Sequence, residues 1–338
     1  MQIEQFDPKT QQDQLRACHE MLISGHPEDD PNAPPMSFGM FRGWWTYGFS
    51  GEPQQIWIAT ESGEPKGCYV LELPERENKT NAFCHVVVGR AWRRRGIGTR
   101  LLSHAASQAE AAGRRLLMSN ARVGSPGEDF ARTIGARAGM QDVRRVLDVN
   151  ASLHSRLPEV RERALSRSAG YSLRFWSGST PEDVAEATCQ LYAALADAPH
   201  DEAFEPATWD VARLRAAEER VIAQGTRWYS VAAMHDTSGE MAALTQVNVD
   251  PDVIDWAFQE ITAVTRPHRG HRLGMLVKVD MLQRLAELEP QIRQIMTFNA
   301  APNEHMIAVN VELGNRISDY FVSLEMDVAD ATKLAIAN

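Results

Sequence analysis

The sequence predicts an α/β (α+β) protein made of two tandem domains, and three observations carry that prediction. The chain has 338 residues, which at roughly 150 residues per domain is about two domains. Its composition, 43% hydrophobic and 24% charged, carries no biased tract, so each half can bury a core of its own. An arginine-opened, glycine-closed turn occurs twice, as RRRGIG at 93–98 and RGHRLG at 269–274, an offset of 176 residues.

Each turn follows a short β-branched run, HVVV at 85–88 and ITAV at 261–264, with strand character. Upstream, QIWIATE with GCYVLEL, and WYSVAAMH with AALTQVNVD, read as antiparallel pairs joined by glycine-containing turns. Behind the first turn, Ile97, Leu101, Leu102, Ala105 and Ala109 recur at helical spacing until Gly113. Behind the second, Leu273, Leu276, Val277, Met281, Leu285 and Leu288 do so until Pro290. The runs LLM at 116–118 and IM at 295–296 then read as strands. Helix-like EDFARTIGARAG and NEHMIAVNVELG follow, closed by Gly139 and Gly314, and beyond them the strand-like VRRVLDV and YFVSLEMDV. The polar stretch 151–169 reads as a linker helix, which places the domains at 1–150 and 170–330.

A formal charge of −10 gives no global support to nucleic-acid binding. Cys18, Cys68, Cys84 and Cys189 show no CxxC spacing, which argues against a disulfide framework and a zinc knuckle and points to the cytoplasm. The first residues have no basic start followed by an apolar stretch, so no signal peptide is expected. No apolar run approaches the roughly 20 residues that span a bilayer, so the expectation is a soluble, non-membrane protein. His268 and His271 flank Gly270 without a third ligand nearby, so no metal is expected.

A strand that turns into a helix leaves backbone N–H groups converging at the helix N-terminus, where free donors and helix dipole favour an anion. Gly96 and Gly98 let a phosphate approach the backbone, and Arg93, Arg94 and Arg95 add cationic partners. The bland alternative is a glycine-containing helix start with solvated arginines. The spacing lacks the GxGxxG of a dinucleotide fold and the GxxxxGK[ST] of a nucleotide-triphosphate loop.

The order strand, R-x-x-G-x-G, amphipathic helix, strand, helix, glycine resembles the GNAT acetyltransferase superfamily, whose [RQ]-x-x-G-x-[GA] signature is matched by Arg93, Gly96 and Gly98. The resemblance covers about 100 residues in each half, and the duplication looks like the tandem-GNAT proteins of actinobacterial natural-product clusters. It implies that each domain is a mixed, mostly antiparallel sheet flanked by helices. It also implies an acetyl-CoA (or other acyl-CoA) site formed by Val86, Val87 and Val88, then Arg93, Arg94, Arg95, Gly96, Ile97 and Gly98, with Thr99 opening the helix. In the second half Val264, Arg269 and Gly274 fit, but Arg272 stands where the first glycine should be, to obstruct the phosphate or to salt-bridge it.

By the same resemblance, a carboxylate on the strand before the turn acts as base, and a tyrosine four residues before the closing glycine acts as acid. The first half offers His85 and Cys84, with Gly135 at the acid position counted from Gly139. The second offers Glu260, with Asn310 at the acid position and Asn299 beside the thioester region. Asn303 reads as a cap of the helix that follows, and FRGWWTYGF at 41–49 either lines the acceptor side or packs between the halves. The expectation is acyl transfer to an amine or hydroxyl of a small metabolite by a monomer or weak homodimer, with Glu260 and Asn299 catalytic in the second half and acetyl-CoA structural in the first. The rivals are a non-catalytic acyl-CoA sensor and a protein- or aminoacyl-tRNA-directed transferase.

Overall fold

The computed structural model describes residues 1–48, 52, 54–197 and 204–335. In the first half, β1 (Gln2–Phe6), α1 (Gln12–Asp29) and α2 (Phe38–Tyr47) precede the antiparallel β2 (Gln54–Glu61), β3 (Glu64–Glu72) and β4 (Asn81–Val88). Then come α3 (Ile97–Ala111), β5 (Leu116–Arg122), α4 (Pro126–Thr133) and β6 (Arg137–Asp148). After α5 (Ala151–Leu165) the order repeats: β7 (Tyr171–Ser177), α6 (Glu182–Ala193), α7 (Val211–Gln224), β8 (Arg227–His235), β9 (Met241–Val249), β10 (Trp256–Val264), α8 (Leu273–Leu288), β11 (Gln294–Ala300), α9 (Glu304–Leu313) and β12 (Arg316–Asp327). Both expected strand, turn, helix, strand, helix, strand units are present. No helix among the described residues is long and apolar enough to cross a membrane.

Local chemistry sets the helix ends. The side chains of Ser37, Ser125, Asn150, Asp210 and Asn303 accept hydrogen bonds from first-turn N–H groups of α2, α4, α5, α7 and α9, each such cap contributing about 1 kcal/mol. Asn303 is therefore a cap, as the sequence favours. The glycine that closes α4 is Gly135, left-handed at φ 84°, and Gly139 lies inside β6. The expected helix to Gly139 is thus too long, because the positive φ at Gly135 terminates it first. The first-half acid position moves from Gly135 to the buried Ala131.

The strands form one twelve-stranded sheet in the order β1-β2-β3-β4-β5-β12-β6-β11-β10-β9-β8-β7. Matching each strand to its repeat makes that order symmetric about the β12–β6 seam. Each half gives its last strand to the other: β12 pairs with β5, and β6 with β11. The repeat boundary at residue 150 falls between β6 and α5. α3 covers one face of the first half over Tyr69, Leu71, Ala82 and Cys84, while α1 and α2 cover the other over Ile56, Cys68, Val70 and Val87. α5 and α8 pack the core of the second half, and α6 takes its opposite face.

The halves also interlock outside the sheet. A Cβ on Gly43 of α2 would lie 2.3 Å from Gln224 Cγ of α7 and 2.9 Å from the Arg220 carbonyl, so the absence of a side chain lets the helices touch. Phe41 and Trp45 are buried, and the Arg220 guanidinium lies 3.9 Å over the Trp44 ring. Phe41 and Trp45 thus fill the first-half core, while Trp44 and Gly43 meet the second half; Phe49 lies outside the described residues. Asn78 and Glu205 exchange hydrogen bonds at 2.9 and 2.7 Å, and Phe204 meets Phe83 edge-on, so second-half residues cover the first half beside β4.

At the seam Arg144, 1% exposed, donates through Nε to Asp319 at 3.1 Å and bidentately to Asp30 at 2.7 and 2.6 Å. Burial pushes the Asp319 carboxyl up, but hydrogen bonds from Ser318, Asn32 and Arg144 outweigh it and hold it below its ordinary value. A carboxyl depressed in the folded state contributes stability above its unfolded pKa of about 3.9, lost as pH falls through the folded value. Asp319→Asn is expected to cost about 3–5 kcal/mol at neutral pH by leaving Arg144 underpaired and to flatten the loss of stability below about pH 4. Urea unfolding at pH 7 and pH 3 checks both; an unchanged midpoint at pH 7 would refute the role of the pair.

Candidate functional site

Both turns have the same backbone. Positive φ occurs at Arg94 (60°) and Gly96 (75°) in the first, and at the corresponding Gly270 (87°) and Arg272 (55°) in the second. Each thus spends one glycine and one arginine on the two left-handed positions. Neither α3 nor α8 has a side-chain cap, so their first N–H groups face outward, as an anion cradle needs. Arg94, Arg95 and Gly96 are exposed, and a Cβ on Gly96 would meet nothing within 4 Å.

The arginines divide their work. Arg93 Nε donates to the Val88 carbonyl at 3.3 Å, and Arg269 Nε does the same to Val264 at 3.3 Å. Arg93 also pairs with Asp29 at 2.9 Å and Glu28 at 3.2 Å at the end of α1, so its guanidinium braces the turn. Arg95 stacks on Trp92 at 4.8 Å. Among the three expected cationic partners, Arg94 is exposed with no such engagement among the described residues. Arg272 pairs with Glu312 of α9 at 2.6 Å.

Parallel pairing of β4 with β5 stops at Phe83–Met118, and that of β10 with β11 at Gln259–Thr297. Beyond those points the strands splay. Val86, Val87 and Val88, and Val264 in the second half, therefore present backbone groups on open edges beside Ile97, Gly98 and Thr99 or Gly274. An extended acyl-CoA arm fits such an edge.

A bulge separates the halves chemically. The β9–β10 register shifts between Gln259 and Thr262, while β3–β4 pairs without a break. Gln259 fills the bulge, its amide donating to the Gln246 carbonyl at 2.6 Å and to Thr245 Oγ1 at 3.0 Å. The added residue makes His85 the counterpart of Glu260, whereas a constant offset of 176 would make it Cys84. Glu260 is exposed and accepts from Asn248 Nδ2 at 2.8 Å. Tyr192 of α6 donates to Gln246 at 2.5 Å; burial pushes its phenol up, and the Glu260 carboxylate adds to that. Arg220 of α7 feels Glu260 and Tyr192 as well. Glu260 thus stands on a polar face of Tyr192, Gln246, Asn248 and Arg220.

Asn310, fully buried at the acid position of the second half, donates to Asn299 Oδ1 at 2.7 Å and accepts from Lys278 Nζ at 2.9 Å. Asn299 is thereby a partner of Asn310, on the strand facing Glu260 across the splay. All four cysteines are free and buried, and burial pushes the Cys84 thiol up to about 12, so no thiolate nucleophile is present. Tyr192, Arg220 and Lys278 escape sequence analysis. Only Lys278 leaves a signal, as a lysine on the apolar stripe LGMLVKVDML of α8.

The turns, splays and repeated order define a class: residues 15–125 match the acetyltransferase (GNAT) family, and the chain as a whole has the tandem GNAT architecture of an acetyltransferase. A tandem GNAT protein from the clavulanic acid biosynthesis pathway is similar over 97% of this chain and 98% of its own, with 25% identity and a TM-score of 0.79. A GCN5-related N-acetyltransferase from Sphaerobacter thermophilus shares the fold over 97% and 95% at 14% identity and TM-score 0.62. So does a GNAT-family acetyltransferase from Colwellia psychrerythraea, over 96% and 100% at 10% and 0.55. No curated protein matches the sequence.

Arg272→Gly relieves about 1 kcal/mol of left-handed strain and removes a half-exposed ion pair of similar size. Stability by urea unfolding is expected to stay within about 1 kcal/mol. A larger loss would show that the Glu312 pair, not the backbone, holds the turn.

Proposed function

We propose that this protein transfers an acetyl group from acetyl-CoA to an amine or hydroxyl of a small metabolite, that the second half performs the transfer, and that the first half holds acetyl-CoA without turning it over. The bulge at Gln259–Thr262 carries the proposal, because it turns Glu260 toward a polar face that the first half lacks. There the counterparts are His85 and Ala131, and the neighbouring surface is covered by Phe204 and Glu205. Both cradles fit an acyl-CoA: uncapped helix starts for the pyrophosphate and open strand edges for the arm.

In this reading Glu260 takes the proton of the acceptor, and Asn248 orients its carboxylate. Such a base contributes 10²–10⁴-fold. Arg220 places a guanidinium beside Glu260 for polar groups of the acceptor, and Tyr192, whose hydroxyl proton goes to Gln246, presents its oxygen as a hydrogen-bond acceptor. A clavulanic acid pathway relative supports a natural-product metabolite as acceptor. The seam already joins two GNAT units, which favours a monomer acting alone.

Native mass spectrometry with acetyl-CoA is expected to show one tightly held molecule that Gly96→Glu loses, and a second, weaker one that it keeps. Glu260→Gln is expected to lower thiol release by at least about 10²-fold while both molecules still bind. Absence of any CoA adduct would sink the proposal, and unchanged turnover in Glu260→Gln with loss in His85→Ala would move the chemistry to the first half.

A further inference from the structure

The second half contains a buried amine that nothing so far has used. Lys278 lies on α8, 5% exposed, and its one hydrogen bond among the described residues goes to the neutral Asn310 amide. It borders a small cavity of about 20 Å³ that also touches Gln259 and Thr297, the last paired residues before β10 and β11 diverge. An ammonium ion in that place is expensive unless something there needs it. Residues contributed to the cavity by β6, β9, β10, β11 and the turn after α9 include Leu147, Val247, Gln259, Ile295, Thr297 and Asn315, none of them ionisable.

Comparison of the halves sharpens the point. The counterpart of Lys278 is Leu102, and that of Asn310 is Ala131, both on the apolar side of their helices. Glu260, Lys278 and Asn310 therefore occur together in one half, and His85, Leu102 and Ala131 in the other. A polar trio confined to one copy of a repeated backbone marks a chemical difference, since the backbone alone does not call for it.

We propose that Lys278, held by Asn310, is the proton donor to the sulfur that leaves when the acyl group is transferred. This rests on the second half being the catalytic one. The acceptor adds its lone pair to the thioester carbonyl carbon, the carbon–sulfur bond breaks, and the sulfur leaves with that electron pair. Lys278 Nζ gives the sulfur a proton and becomes a neutral amine, while Glu260 takes the proton released by the acceptor; solvent then restores both groups. Burial brings the Lys278 ammonium down to about 8. That is close to an alkyl thiol at about 8.5, whereas an ordinary lysine at about 10.4 would hold its proton against the thiolate.

The first test reads the bound product and needs no acceptor. With CoA bound to the Gly96→Glu protein, so that only the second cradle is filled, thiolate ultraviolet absorbance is followed against pH. The bound thiol is expected to ionise at least about tenfold more readily with Lys278 present than in a Lys278→Met version; equal titrations overturn the proposal. Lys278→Arg keeps the charge but cannot give up its proton near neutrality, so it should keep the lowered thiol pKa yet lose about 10²-fold in kcat with little change in KM. Wild-type turnover in the arginine variant would reduce Lys278 to a fixed charge and overturn donation. Both variants are checked for unchanged cooperative unfolding, and Lys278→Met is close in volume to the original. If Glu260→Gln is also fully active, the assignment of the catalytic half fails; if Glu260→Gln is inactive and Lys278→Met is not, only the proton donor fails.

Discussion

The Arg144–Asp319 pair at the centre of the sheet is the constraint on which the rest of the molecule hangs. Arg144 belongs to β6 and Asp319 to β12, the two strands that the halves exchange. A charge pair this deep is costly to desolvate and serves best as a register device, since any slip would leave both charges unpaired. Asp30, at the end of α1, adds a third member. The adjacent Glu28 and Asp29 hold Arg90 and Arg93 at the first glycine turn. One run of acids on α1 thus links the seam to the cradle.

The exchange of last strands also explains why the halves differ without separating. Each sheet is complete only with a strand from the other half, so neither copy can be lost, and either can change its side chains as long as the backbone stays. The turns illustrate this. Their backbones are the same, yet glycine and arginine trade places on the two left-handed positions, and Arg272 is tolerated because Glu312 engages its side chain away from the cradle. The first half keeps the more open turn with apolar residues at its acid position, and the second keeps a polar trio around its splay.

A single inserted residue decides more than any motif. The bulge in β10 shifts the pairing of Glu260 from the Cys84-like position, which packs on α3, to the His85-like position on the opposite face. Sheet side chains alternate, so a one-residue change transfers a group from one face to the other. The same bulge is filled by Gln259. One irregularity in one strand therefore sets both the face that Glu260 occupies and the side chain, Gln259, that borders the cavity beside Lys278.

The repeat, the strand and helix order and the uncapped turns were legible in the sequence, because each rests on local periodicity, glycine chemistry or spacing within about twenty residues. The error at Gly139 shows the limit of that method: Gly135 and Gly139 both look like helix ends, and only the positive φ at Gly135 chooses between them. What tertiary structure alone decided is the strand exchange, the turning of Arg93 toward Asp29, the engagement of Arg272 by Glu312, and the meeting of Lys278 with Asn310. Each joins residues far apart in the chain or on different elements, and a pairing of that kind depends on which faces the sheet brings together, a fact with no local signature in the chain.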